Sequence, residues 1–171
     1  NNFTRYRDNP IIVPDPCCYT DGEMPVPGIR DCRDLCVVKA PDKPGFYGYF
    51  ATRKRQARCL GESSVIALAY TEDLIRWKQM PAAFEPRNSV CVEVPDVFYL
   101  NGLWYMMCLT GLMYGSFDCL SDPELTSGTI YAVAESPCGP FYELADNVVL
   151  GARTMACSLA LKSFEYGKQR L

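Results

Sequence analysis

Apolar and polar positions along this chain recur in short, strand-length runs, and no stretch holds a helical period for more than a few residues. Arg33-Asp34-Leu35-Cys36-Val37-Val38-Lys39 predicts a strand, followed by the turn Pro41-Asp42-Lys43-Pro44-Gly45. Phe46 to Thr52 predicts a second strand and Ser64 to Tyr70 a third, and Thr71-Glu72-Asp73-Leu74-Ile75-Arg76-Trp77 turns into a fourth. The clearest signal is Val92 to Cys108, where Asn101-Gly102 separates two β-favouring runs. Both residues tolerate positive φ, so the pair predicts a tight hairpin.

The second half repeats the plan of the first. Asp96 to Asn101 lies over Asp34 to Lys39, Leu103 to Cys108 over Phe46 to Ala51, and Gly128 to Ala134 over the third strand. Pro140 to Glu143 takes the place of the strand at Trp77. Asp34 and Asp96 stand 62 positions apart (96 − 34), and four short strands recurring at that length are the pattern of a β-propeller blade. One blade cannot bury both its faces, so blades stack. The expected organisation is the end of an earlier blade plus a loop over 1–31, blades over 32–87 and 88–146, and the start of another over 147–171. Gly151 to Ser158 is expected to be that last blade's first strand. Pro10-Ile11-Ile12-Val13-Pro14 predicts a short edge strand and 21–28 a loop. The fold class is all-β, a partial propeller of about two and a half blades.

Composition narrows the chemistry. The 171 residues are 49% hydrophobic and 22% charged, ordinary for a globular domain, and the net charge of −3 gives no reason to expect nucleic acid. No run of about 18 apolar residues crosses a membrane, and the polar start is unlike a signal peptide. It lacks a methionine, so the true N-terminus is expected upstream. Histidine is absent, which excludes Ser-His-Asp and Cys-His catalysis within the chain and removes the commonest transition-metal ligand. No metal or cofactor is expected. The ten cysteines form no C-x-x-C pair; Cys91, Cys108 and Cys157 sit in apolar runs, as packing thiols do. That favours a reducing compartment, against a single Asn2-Phe3-Thr4 sequon.

Glu93 is the most suggestive acid. It opens the hairpin between Val92, Val94 and Pro95; apolar neighbours desolvate a carboxylate and favour the protonated form that a general acid needs. A plain strand-edge glutamate is the simpler reading, and the surrounding motifs argue beyond it. Arg33-Asp34-Leu35 resembles the Arg-Asp-Pro motif of five-bladed β-propeller glycoside hydrolases, and Glu93-Val94-Pro95-Asp96-Val97-Phe98 resembles the Glu-Cys-Pro-Asp-Leu-Phe motif of glycoside hydrolase family 32. Thr71 to Trp77 is similar to their Ser-x-Asp-Leu-x-x-Trp turn. Ala134-Glu135-Ser136-Pro137-Cys138-Gly139-Pro140-Phe141 is similar to a Ser-x-x-Gly-Pro-Phe element of family 43. The resemblance, to the superfamily of families 32, 43 and 68, covers residues 9 to about 160. Leu35 and Val94 depart from it, where proline and cysteine are usual.

The resemblance implies a glycosidase cleaving furanosides, β-fructofuranosides first, then arabinofuranosides and xylosides. It implies Glu93 as general acid and Asp34 as the acid that stabilises the transition state. Arg33 and Asp96 are implied as contacts to substrate hydroxyls, Asp96 alternatively closing its strand turn. The implied partner is an oligosaccharide or polysaccharide, with self-association or the rest of a propeller covering the open blade faces. The nucleophile or base is implied to come from an earlier blade; Asp8 and Asp15, in the N-terminal segment, are expected in loops. Tyr49, Phe98, Trp104 and Tyr105 read as inter-blade core before they read as sugar platforms. A non-catalytic sugar-binding propeller, or an inactive fragment of such an enzyme, is the alternative.

Overall fold

The structure, a computed structural model, describes residues 3–20, 31–87, 89–111, 120, 122–153, 160–167 and 169–170. Among these there is no α-helix; a single 3-10 turn spans Leu60–Glu62. Strands β1 (Arg33–Lys39), β2 (Phe46–Arg53), β3 (Ser64–Thr71) and β4 (Lys78–Phe84) form one antiparallel sheet in the order β1-β2-β3-β4. Strands β5 (Glu93–Leu100), β6 (Leu103–Gly111), β7 (Ser127–Ala134) and β8 (Tyr142–Ala152) form a second in the same order. Each is the four-stranded meander of a propeller blade. A small hairpin, β9 (Glu165–Tyr166) with β10 (Gln169–Arg170), follows. Asn101 and Gly102 turn β5 into β6 at φ 49° and 92°, a conformation both residue types tolerate.

The two blades pack face to face. Period-2 alternation sends Tyr49, Ala51, Ile66, Leu68 and Phe84 from the first sheet against Val97, Trp104, Met106, Cys108, Ile130 and Ala132 from the second, in one buried cluster. Tyr49 is fully buried, edge-on to Phe141 at 6.5 Å, and donates its hydroxyl to the Pro137 carbonyl at 2.6 Å. Tyr49 and Trp104 are therefore core. Phe98 and Tyr105 stack at 5.6 Å on the other face of the second sheet, with the Arg170 guanidinium 4.5 Å over Phe98.

The other face of the first sheet is covered by the chain's own beginning. Ile12 and Tyr19 pack on Phe50, Val65, Ala67 and Ala69. The edge strand expected at Pro10–Pro14 is not formed; further along, an isolated bridge pairs Tyr19 with Lys54, just past the end of β2. Two prolines and a solvated backbone leave too few donors for a ladder.

Two family-like motifs turn out to be structural devices. In the Thr71–Trp77 turn, the Asp73 carboxylate accepts from the amides of Ile75 (2.9 Å) and Arg76 (2.8 Å) and from Arg76 Nε (2.8 Å). The amide of Arg76, then that of Ile75, then the Arg76 side chain hold its pKa well below the usual carboxylate range. A depressed folded-state pKa stabilises fully above the unfolded value of about 3.9 and is lost as pH falls through the folded one. Asp73→Asn is therefore expected to lower stability at pH 7 and to close on the wild type below about pH 4. Denaturant midpoints across that range check it.

The Ala134–Phe141 element staples one blade to the next. Phe141 donates its amide to the Ala83 carbonyl at 2.8 Å, and Arg87 donates its amide to Glu143 Oε2 at 3.1 Å. Gly139 sits at φ 74°, where an added Cβ would lie 2.5 Å from the Ala83 oxygen. Gly139→Ala thus combines a disfavoured backbone conformation with a clash against main chain, for an expected loss of about 2–3 kcal/mol in urea unfolding.

The second blade is longer than the sequence indicated. Strand β8 continues through Ala152, pairing Thr129 with Leu150, Gly128 with Gly151 and Ser127 with Ala152. Gly151-Ala152 thus closes this blade and does not open another, and the expected boundary at 146 is moved outward. The polar pair Asp146-Asn147, at the expected boundary, falls where the register shifts between Ile130↔Val148 and Ala132↔Glu143, with Asn147 buried. It is a bulge, not a loop. The rest of the expected next strand, 154–158, and the expected loop at 21–28 lie outside the described residues.

Candidate active site

Both inner strands begin with the same irregularity. β1 pairs Arg33 with Ala51 and then Cys36 with Tyr49; β5 pairs Glu93 with Leu109 and then Asp96 with Met107. In each, two inner residues oppose one on the neighbouring strand, a β-bulge, and the first bulged residue has positive φ: Asp34 at 61°, Val94 at 52°. Arg33 therefore occupies the place of Glu93, Asp34 that of Val94, and Cys36 that of Asp96. The sequence overlay of Asp34 on Asp96 is displaced by two positions, because the β1–β2 connection, Ala40 to Gly45, is longer than Asn101-Gly102.

Positive φ is uncommon for a β-branched residue and persists only where neighbours impose it. Here the Val94 amide donates to Asp34 Oδ2 at 3.2 Å, and Lys162 Nζ donates to the Pro95 carbonyl at 2.7 Å. The bulge holding Glu93 is thereby pinned from both sides.

Arg33 joins the acids. Its Nη2 donates to Glu93 Oε1, its Nη1 to Asp31 Oδ1, and its Nε lies 3.8 Å from Asp34 Oδ2. Asp31 accepts a second arginine through Oδ2, Arg53 Nε. Arg53 is fixed in turn by Ser63 Oγ at 2.8 Å and the Val90 carbonyl at 2.7 Å. Side-chain exposure rises from 4% for Arg53 and 6% for Asp31, through 13% for Glu93, to 25% for Asp34 and 33% for Arg33. The cluster is thus anchored in the interior and opens to solvent at Asp34 and Arg33. Burial works to lower the Arg33 pKa, but the hydrogen bond to Glu93 and the charges of Asp31 and Glu93 outweigh it and push it up.

The apolar surroundings expected around Glu93 are not what its carboxylate meets. Oε1 takes the Arg33 guanidinium and the Cys91 thiol, Sγ at 2.9 Å. Burial, then the hydrogen bond to Glu93 and its charge, push the Cys91 thiol up, so the sulfur stays a donor. With both donors on Oε1, Oε2 is the oxygen suited to carry a proton.

The sequence placed Asp34 and Glu93 together, and one guanidinium touches both. Asp96 is engaged otherwise: its Oδ2 accepts from the Ser163 amide at 2.8 Å and hydroxyl at 2.7 Å. Asp8 is exposed in a turn beside Arg7, and Asp15 accepts from the Cys17 amide at 2.8 Å; both are loop residues, as expected. Asp31, Arg53 and Cys91 were missed. Arg53, which its charge and its place at a strand end would put in solvent, ends β2 and is 3% exposed. The signal was there: Tyr47, Tyr49 and Ala51 point inward, and period 2 carries the fourth member, Arg53, to the same face. Among the described residues no group of three acids, cysteines or histidines could hold a metal ion. Surface hollows of about 570 Å³ beside Cys18 and Lys54, and about 670 Å³ beside Tyr6 and Trp77, lie elsewhere.

No family model matches the chain, and no curated protein matches it in sequence. Solved structures do. An inulosucrase from Halalkalicoccus jeotgali, bound to kestose, superposes with TM-score 0.65 at 21% identity, over 82% of this chain and 37% of its own. A levansucrase from Gluconacetobacter diazotrophicus gives 0.59 at 17%, over 74% and 33%. A β-fructofuranosidase from Microbacterium saccharophilum K-1 gives 0.57 at 15%, over 71% and 28%. The chain has the fold of the five-bladed propeller glycosidases, and it spans about a third of the length of these proteins.

Proposed function

We propose that this chain is part of a glycoside hydrolase that cleaves furanosides, β-fructofuranosides first, then arabinofuranosides and xylosides. The observation that carries the reading is the convergence of Asp34 and Glu93 on Arg33 where two neighbouring blades begin, in a fold whose solved examples include fructan-handling enzymes. Glycoside cleavage passes through an oxocarbenium-like state and needs one acid to protonate the leaving oxygen and an opposing carboxylate to attack or to activate water. Glu93 takes the acid role through Oε2. Asp34, more open and already beside a cation, takes the role of stabilising the developing positive charge. Arg33 orients Glu93 and reaches a sugar hydroxyl, and Asp96 offers Oδ1 to another. The opposing carboxylate comes from a further blade.

One observation favours a second reading, a sugar-binding propeller without catalysis. Glu93 is ion-paired with Arg33, and an ionised carboxylate cannot donate a proton. The full-length protein, assayed on chromogenic fructofuranoside, arabinofuranoside and xyloside, separates the two. Turnover is expected, strongest on the fructofuranoside; oligosaccharide binding by calorimetry with no turnover would establish the binding module instead.

A further inference from the structure

Asp31 has no role in the scheme above, yet the cluster is built around it. Arg53, held independently by Ser63 and Val90, grips Asp31 Oδ2 from the interior and leaves Oδ1 to Arg33. Arg33 reaches Glu93 with its other terminal nitrogen. One guanidinium is thus divided between a buried carboxylate and the proposed acid.

We propose that Asp31 is a positioning residue of the glycosidase site: gripped by Arg53, it fixes Arg33 and takes up part of its charge, so that Glu93 is oriented by a cation without being locked as a carboxylate. The inference rests on the proposed function and resolves the conflict it contains. The charged and titratable groups around Glu93 are Arg33 and Asp34 from β1, Asp31 ahead of β1, Cys91 ahead of β5, Arg53 from β2 acting through Asp31, and Lys162 on the Val94–Pro95 backbone. Removing the Asp31 charge leaves Arg33 to Asp34 and Glu93 alone. Both the lost negative charge and the freed guanidinium favour the Glu93 carboxylate. The alkaline limb of activity must then move to lower pH.

The test uses the full-length protein and its Asp31→Asn and Asp31→Glu variants. The readouts are kcat/KM against pH and carbon-13 titration of the glutamate carboxyls, Glu93 being identified by the signal lost in Glu93→Gln. In folded Asp31→Asn, both the limb and the Glu93 titration are expected to move to lower pH, by roughly three- to tenfold in proton affinity. Asp31→Glu restores them. An unmoved or upward-moved titration in folded Asp31→Asn overturns the inference, whatever happens to kcat. If Asp31→Asn does not fold, Arg53→Lys serves: it loosens the grip on Asp31, gives Arg33 a larger share of that carboxylate and moves both readouts to higher pH, and no movement overturns the inference. A wild type without turnover on any furanoside rejects the proposed function alone, since the carboxyl titration still reads the effect of Asp31.

Discussion

Glu93→Gln in the full-length protein is expected to lower kcat on its preferred furanoside by roughly 10²–10⁴, the usual contribution of a positioned general acid. Glutamine keeps the shape of the side chain and still accepts from Arg33 and Cys91, so folding and KM change little. The effect therefore belongs to the proton. An activated substrate whose leaving group needs no protonation is expected to lose much less, and stopped-assay kinetics with both substrates check this. Asp34→Asn is expected to lower turnover with sugar binding retained, since in the proposed role its carboxylate acts on charge that develops only in the transition state. The two carboxylates thus separate by substrate: a better leaving group rescues the change at position 93 and not the one at position 34.

The largest effect on stability is expected from Arg53→Met. Arg53 and Asp31 are side chains of 4% and 6% exposure, and the Arg53 cation also holds Ser63 and the Val90 carbonyl. Methionine fills the volume but leaves Asp31 buried with only the partly exposed Arg33 as counter-charge. Breaking a buried pair from one side costs about 3–5 kcal/mol, because the remaining charge stays desolvated. Guanidinium unfolding of the variant should show that loss. By comparison, Arg76, in an exposed ion pair with Asp73, is expected to contribute little through that pair. If Arg53→Met leaves the unfolding midpoint in place, Asp31 is not buried as described, and the positioning argument built on it loses its anchor.

The fold was legible because strands announce themselves locally. Alternation, the Asn101-Gly102 turn and the recurrence of four runs all act over a few residues, and the structure has two four-stranded meanders stacked face to face. What local pattern could not carry was register. Two acids followed by apolar runs invited the pairing of Asp34 with Asp96, whereas the bulges and the unequal hairpin lengths pair Asp34 with Val94. The same blindness ended the second blade at 146, where β8 has a bulge and continues.

At the candidate site, the nearness of Arg33, Asp34 and Glu93 was legible from motifs, and Asp96 was found in its expected strand. Its Ser163 partner lies 67 positions away, a separation no local rule spans. Asp31 and Arg53 were hidden for another reason. A charged residue beside a loop reads as solvated, and only the partner across the blade makes its burial affordable. Arg53 could have been found by extending the inward period of β2 by one step. Asp31 could not, because its burial depends on two arginines in different strands.

The most direct measurement is a structure of the full-length protein carrying Glu93→Gln with a fructo-oligosaccharide bound. The expected result places the glycosidic oxygen within about 2.6–3.2 Å of the side chain at position 93, with Asp34 and Arg33 beside the same furanose ring. A carboxylate from another blade stands opposite, at roughly 5 Å or roughly 6.5–9.5 Å from position 93, and that distance assigns retention or inversion. A sugar bound away from Asp34 and position 93, or bound there with no carboxylate facing it, would contradict the account.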